Sequence, residues 1–139
     1  MEINTQFGKQ EINPESIITL PQGMAGFADL TQYKLFHEEG KPTVFWLQST
    51  ADPEVRFSVT DPARLNVAYE VSLTDEEEAL LQLDNPEDLA LLVTLAKDDA
   101  EGGNIHANLL GPILINMEKR LGLQKVLNDV ESTVIVRAR

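Results

Sequence analysis

The sequence predicts a mainly β single domain, a barrel or a sandwich of short strands with one or two short helices. Three observations point there. Apolar and polar residues alternate with a period of two in several runs, clusters of Gly, Pro, Asn and Asp punctuate those runs, and helical signals are confined to two brief segments. A chain of 139 residues suits one domain, and no repeat, low-complexity tract or linker divides it.

Strands are expected first over residues 2–7, 16–20 and 33–38, each bounded by turn-forming residues. Residues 43–49 (TVFWLQS) are β-branched and aromatic, and Val55, Phe57 and Val59 interleave with Arg56, Ser58 and Thr60. With the turn chemistry of Ala51-Asp52-Pro53-Glu54 between them, the two runs read as an antiparallel hairpin whose Trp46 belongs to the core. Thr74-Asp75-Glu76-Glu77 opens the better helix: Thr74 can accept from the free backbone N–H groups, Glu77 can reach back as a capping box, and the acids suit the positive end of the helix dipole. Asn85-Pro86-Glu87-Asp88 can open a second, shorter turn, since asparagine caps well and proline is preset for the first helical position.

From Leu89 to Ala96 the odd positions are bulky and the even ones mostly small, so the odd face is expected to enter the core. Residues 98–104 form a polar turn, and Ile105, Ala107 and Leu109 alternate back in a returning strand. Gly111-Pro112 interrupts that strand before residues 113–116 resume, and a proline without an N–H is tolerated only at an edge or a bulge. Residues 123–127 and 133–137 complete the set.

Charge bounds the chemistry. Eleven basic against 23 acidic residues leave a net of −12, which repels nucleic-acid backbones and anionic lipid and points to a basic partner. The acidity is local, because residues 61–104 hold 12 acids and 2 bases. The amino terminus lacks a secretory signal and no stretch is apolar enough to span a bilayer, so a cytoplasmic protein is expected. Cysteine is absent, which removes thiol chemistry and Cys-containing metal sites. Neither His37 nor His106 stands in a context that pairs a base with a nucleophile, and His106 reads as a surface or structural residue. Asp98, Asp99 and Glu101 lack the ligand spacing of a calcium loop, and Gly23 and Gly26 lack the Lys-Ser or Lys-Thr of a phosphate loop. No cofactor, metal or catalytic residue is expected.

Several strings, taken in order, resemble the FliW family of flagellar assembly factors over nearly the whole chain. They are Ile17-Ile18-Thr19-Leu20-Pro21 leading to Gly23 and Gly26-Phe27; Phe45-Trp46-Leu47-Gln48-Ser49 with Pro53, Phe57, Val59 and Asp61-Pro62; and Tyr69-Glu70. Asn85-Pro86-Glu87-Asp88-Leu89, Asn108-Leu109-Leu110-Gly111-Pro112-Ile113 through Asn116, and Arg120, Gly122 and Gln124 continue the pattern. Ala25 stands where the resemblance leads one to expect proline. The resemblance implies an antiparallel β-barrel-like domain without enzymatic activity. It also implies binding to the RNA-binding translational regulator CsrA, relieving its repression of flagellin translation, with flagellin as the alternative partner.

Candidate contacts follow from chemistry. Leu110 and Pro112 at the interrupted strand form the expected apolar patch, Glu70 is the first candidate for an acidic contact, and Glu76, Glu77, Glu78, Glu87 and Asp88 form an outer acidic field. A second reading makes the protein a flagellin chaperone that mainly shields its export substrate. A third, a small hydrolase or ligand-binding barrel, requires a deep pocket lined by converging polar groups, for which the sequence offers no constellation.

Overall fold

The computed structural model describes residues 1–5, 8–37, 40, 44–65, 71–97 and 105–127. A short hairpin of β1 (Glu2–Thr5) and β2 (Gly8–Glu11) comes first, with Ile3 opposite Gln10. Its second strand escapes sequence reading because Gly8-Lys9-Gln10-Glu11 contains no apolar residue to alternate. Seven strands then close a barrel in the order β3 (Ile18–Thr19), β4 (Gln32–His37), β5 (Phe45–Ser49), β6 (Arg56–Thr60), β7 (Leu89–Lys97), β8 (Ile105–Asn116) and β9 (Leu121–Gln124). Neighbours pair antiparallel except at closure, where β3 meets β9 in parallel at Thr19 and Leu121. There the Thr19 N–H donates to the Arg120 carbonyl at 2.9 Å. The resulting seven-stranded barrel resolves the choice between barrel and sandwich.

Both expected hairpins are present. In the first, β5 and β6 pair Leu47 with Phe57, and the turn between them is held by side chains. Ser49 Oγ accepts from the N–H groups of Ala51 and Asp52 at 3.1 and 3.0 Å, and the buried Gln48 amide donates to the Ser49 and Val55 carbonyls. In the second, β7 and β8 pair from Leu89 opposite Asn116 to Lys97 opposite Ile105. The expected break at Gly111-Pro112 is a bulge inside one continuous strand. Leu92 faces Ile113 while Thr94 faces Asn108, so β8 carries extra residues between those pairs. Residues 98–104 and 133–137, expected as a turn and a strand, lie outside the described residues.

Two apolar layers hold the molecule together. The barrel interior is filled by Ile18, Leu20, Met24, Tyr33, Leu47, Val59, Leu92, Ile113 and Ile115. The Tyr33 hydroxyl lies there without a hydrogen-bond partner among the described residues, and burial pushes its pKa above the ordinary 10.0. Outside the barrel, helix α1 (Asp75–Leu81) lays Leu81 against Leu114 and Leu123, joined by Leu80, Leu83, Leu89 and Leu91. This reverses the sequence expectation for β7: bulky Leu89 and Leu91 sit under the helix, while Ala90 and Leu92 face the barrel interior. Alternation identifies two faces, but when a helix covers the outer one, bulk no longer says which is inside.

Trp46 needs a similar correction. It is half-buried and carries the Arg56 guanidinium 4.3 Å from its ring centroid, while its neighbour Leu47 fills the core. An indole beneath a guanidinium satisfies strand propensity from the outer face as well as from the inner one.

Candidate partner-binding surfaces

The acidic segment folds by local rules. Thr74 Oγ1 accepts from the Glu77 N–H at 3.1 Å, and Glu77 Oε1 accepts from the Thr74 N–H at 2.9 Å, the reciprocal capping box expected from sequence. Gln82 ends the helix in the left-handed region at φ 51°. Asn116 on β8 secures that end. Its amide nitrogen donates to the Leu81 and Gln82 carbonyls at 2.9 and 3.2 Å, and its oxygen accepts from the N–H groups of Glu118 and Lys119. At Asn85-Pro86-Glu87-Asp88 a single 3-10 turn forms, with Asn85 Oδ1 accepting from the Glu87 N–H.

These elements sort the candidate acids. Glu76, Glu78 and Glu87 are exposed, together with Asp75 and Asp84, and Asp88 is half-buried. Glu77 plays another part, because Lys125 from beyond β9 reaches its Oε1 at 2.7 Å and also donates to the Ser72 carbonyl. Burial alone would raise the Glu77 carboxyl, but hydrogen bonds from Lys125 and Thr74 and the Lys125 charge outweigh it and hold the pKa below 4.5. Glu77 therefore pins α1 to the barrel and contributes little to an outer field. Glu70 lies outside the described residues.

The bulge of β8 separates the two members of the expected apolar patch. Leu110 is 43% exposed, whereas Pro112 is fully buried, so in this conformation Pro112 belongs to the interior and the patch loses it. Pro112 contributes through its carbonyl, which accepts from the Lys125 N–H at 2.9 Å, and Leu110 accepts from Leu127 at 2.8 Å. Other large apolar side chains are exposed as well: Val126, next to Leu127 in sequence, is 70% exposed and Phe27 is 38% exposed. Gln124 joins their loops, its amide donating to the Gly111 carbonyl at 2.9 Å and accepting from the Ala25 N–H at 2.7 Å. A β-carbon at Gly111 would stand 2.6 Å from the Gln124 amide nitrogen, so a side chain there would displace the Gln124 clamp. A proline in place of Ala25 would have no N–H for this clamp.

A third surface goes unseen in the sequence. Two adjoining clefts of about 420 and 490 Å³ share Leu35 and Met117. The first is lined by Asn13, Glu15, Ser16, Ile18, Lys34 and Arg120, and the second by Phe45, Asp61, Arg64 and residues 89–92. Met117 is 45% exposed, and Arg120, at φ 53°, occupies a backbone region that non-glycine residues seldom adopt. No sequence pattern announces this site, because its cations come from three separate elements and none stands in a motif. Among the described residues no group of three or more His, Cys, Asp or Glu could hold a metal, and no helix is long and apolar enough to cross a membrane.

A sequence model of the FliW protein family matches residues 2–137. The flagellar assembly factor FliW of Azoarcus sp. (strain BH72) is 40% identical over 139 residues, covering 96% of this chain and 94% of the relative. That of Chromobacterium violaceum is 40% identical over 131 residues, covering 88% and 89%. A crystal structure of the flagellar assembly factor FliW superposes with a TM-score of 0.86 at 32% identity, spanning 100% of this chain and 96% of that one. The closed barrel agrees with the structural likeness, and the chain belongs to the FliW family of flagellar assembly factors.

Proposed function

We propose that this flagellar assembly factor works by binding alone, without any covalent step. Its partners are the basic RNA-binding translational regulator CsrA and, alternatively, flagellin; while it holds CsrA, repression of flagellin translation is relieved. The work is then cytoplasmic, where that translation occurs. The observation that supports this reading best is the exposed acid edge of Asp75, Glu76 and Glu78 on the helix that the Glu77–Lys125 pair fixes in place, with Asp84 and Glu87 just after it. Such an edge raises the rate of encounter with a basic protein, and its reach is about 8 Å at physiological salt. If the protein weakens RNA binding by CsrA, RNA weakens CsrA binding to the protein by the same factor.

Association with purified CsrA, followed at rising salt, tests the reading. The expected result is a rate that falls with salt, and falls several-fold when Glu76→Lys and Glu78→Lys are combined. Failure to form any complex overturns the CsrA assignment, and an unchanged rate with unchanged salt dependence overturns the steering role.

A second reading, a flagellin chaperone, draws on the exposed Leu110, Val126 and Phe27. Under it, Leu110→Asp abolishes flagellin capture while CsrA association continues. Capture that survives Leu110→Asp removes this patch from the account.

A further inference from the structure

We propose that the paired clefts around Met117 form a docking site for a short peptide segment that combines apolar side chains with carboxylates, a partner opposite in charge to the one the acid edge suits. The inference stands on the clefts themselves and does not depend on CsrA.

Charge selects the occupant. In the whole chain acids outnumber bases by about two to one, yet three cations, Lys34, Arg64 and Arg120, line the clefts against two carboxylates, Glu15 and Asp61. One of those carboxylates is already engaged locally, since Asp61 Oδ1 accepts from the Ala63 N–H at 2.9 Å. None of the three cations has an ion-pair partner among the described residues, whereas Lys9 meets Glu2 and Lys125 meets Glu77. Three cations without an ion pair among the described residues, Lys34 resting only over the Phe36 ring, offer the clefts they line to an anionic group.

Shape and apolarity select a peptide over a simple anion. The apolar lining includes Leu35, Phe45, Leu92 and Met117, and the clefts enclose volumes of about 420 and 490 Å³, room for a few side chains on either side of Met117. Met117 stands at the turn after β8, where an exposed thioether can repack against different apolar side chains. Arg120 closes the same turn. Its N–H donates to the Asn116 carbonyl at 2.7 Å and its carbonyl accepts from Thr19 at 2.9 Å, so its unusual backbone is held from both sides.

The test uses a fluorescein-labelled peptide of sequence Leu-Asp-Leu-Leu-Asp-Leu and the full-length protein, followed by fluorescence anisotropy. A net charge of −12 by itself predicts repulsion, so saturable binding of this acidic peptide runs against the global field. The expected result is binding that weakens with salt, drops about tenfold in the Lys34→Glu/Arg64→Glu double variant, and drops again in Met117→Ser. Lys9→Glu, in the β1–β2 hairpin, leaves the affinity unchanged. Because Met117 and Arg64 lie on separate elements, concordant losses at unchanged thermal unfolding exclude misfolding as their cause. No binding at about 1 mM peptide overturns the proposal. So does affinity unaffected by the double variant, or complete competition by octanoate, which would make the clefts a site for small anionic amphiphiles.

Discussion

The acid edge and the Met117 clefts sit on one barrel and are built in opposite ways. The edge is contiguous: Thr74 to Asp88 supplies its acids and its turns, and the caps at Thr74 and Asn85 act within two or three residues, with Asn116 and Lys125 anchoring the helix from afar. The clefts draw Lys34 from β4, Arg64 from the 3-10 turn Pro62–Leu65 and Arg120 from the turn before β9, which only barrel closure brings together. A charged surface built locally can be read one residue at a time, whereas one assembled by topology has no signature before the sheet order is known.

Asn116 joins the two regions, so variants around it break the comparison most sharply. Leu81→Ala should have the largest effect, about 3 kcal/mol in urea unfolding, because it empties a fully buried position between Leu114 and Leu123. It should also slow association with a basic partner more than it weakens acidic-peptide binding, since α1 carries Asp75, Glu76 and Glu78 of the edge and none of the cleft cations. Asn116→Ala follows, at about 2 kcal/mol, because it strips bonds from the Leu81 and Gln82 carbonyls and from the Glu118 and Lys119 N–H groups. Unlike Leu81→Ala it should impair both surfaces, and loss of only one would show that they are independent.

Glu77→Gln comes next, at roughly 0.5–1 kcal/mol near neutral pH, since glutamine keeps the capping geometry but loses the Lys125 charge pairing. The folded Glu77 carboxyl has a lowered pKa, so its stabilisation is complete above the unfolded value of about 4.5 and is lost as pH falls through the folded one. Denaturant titrations of the parent and of Glu77→Gln should therefore converge in acid. Smallest of all is Tyr33→Phe, expected to be neutral or slightly stabilising, because it removes a buried hydroxyl that has no partner among the described residues.

The same contrast explains how much was legible. The capping box at Thr74 and Glu77, the Asn85-Pro86 turn, both hairpins and the bulge at Gly111-Pro112 were readable because each is decided by neighbours in sequence. The interior position of Pro112 was not: a proline marks a bulge without saying on which side its ring will lie. Nor was the inner face of β7, where the leucines under α1 look the same as leucines inside a barrel. Glu77 looked like one acid among four until Lys125, 48 residues away, singled it out. Glu76, Glu78 and Glu87 are exposed, as a run of acids at a helix start and in a turn suggests.

The parallel seam between Thr19 and Leu121 has a consequence for biosynthesis. The first stave of the cask can be locked only by the last, so no nascent chain shorter than about 124 residues can hold the finished shape, however well its hairpins have formed. Until β9 has emerged, the nascent chain is an open, curling sheet whose apolar lining is still wet.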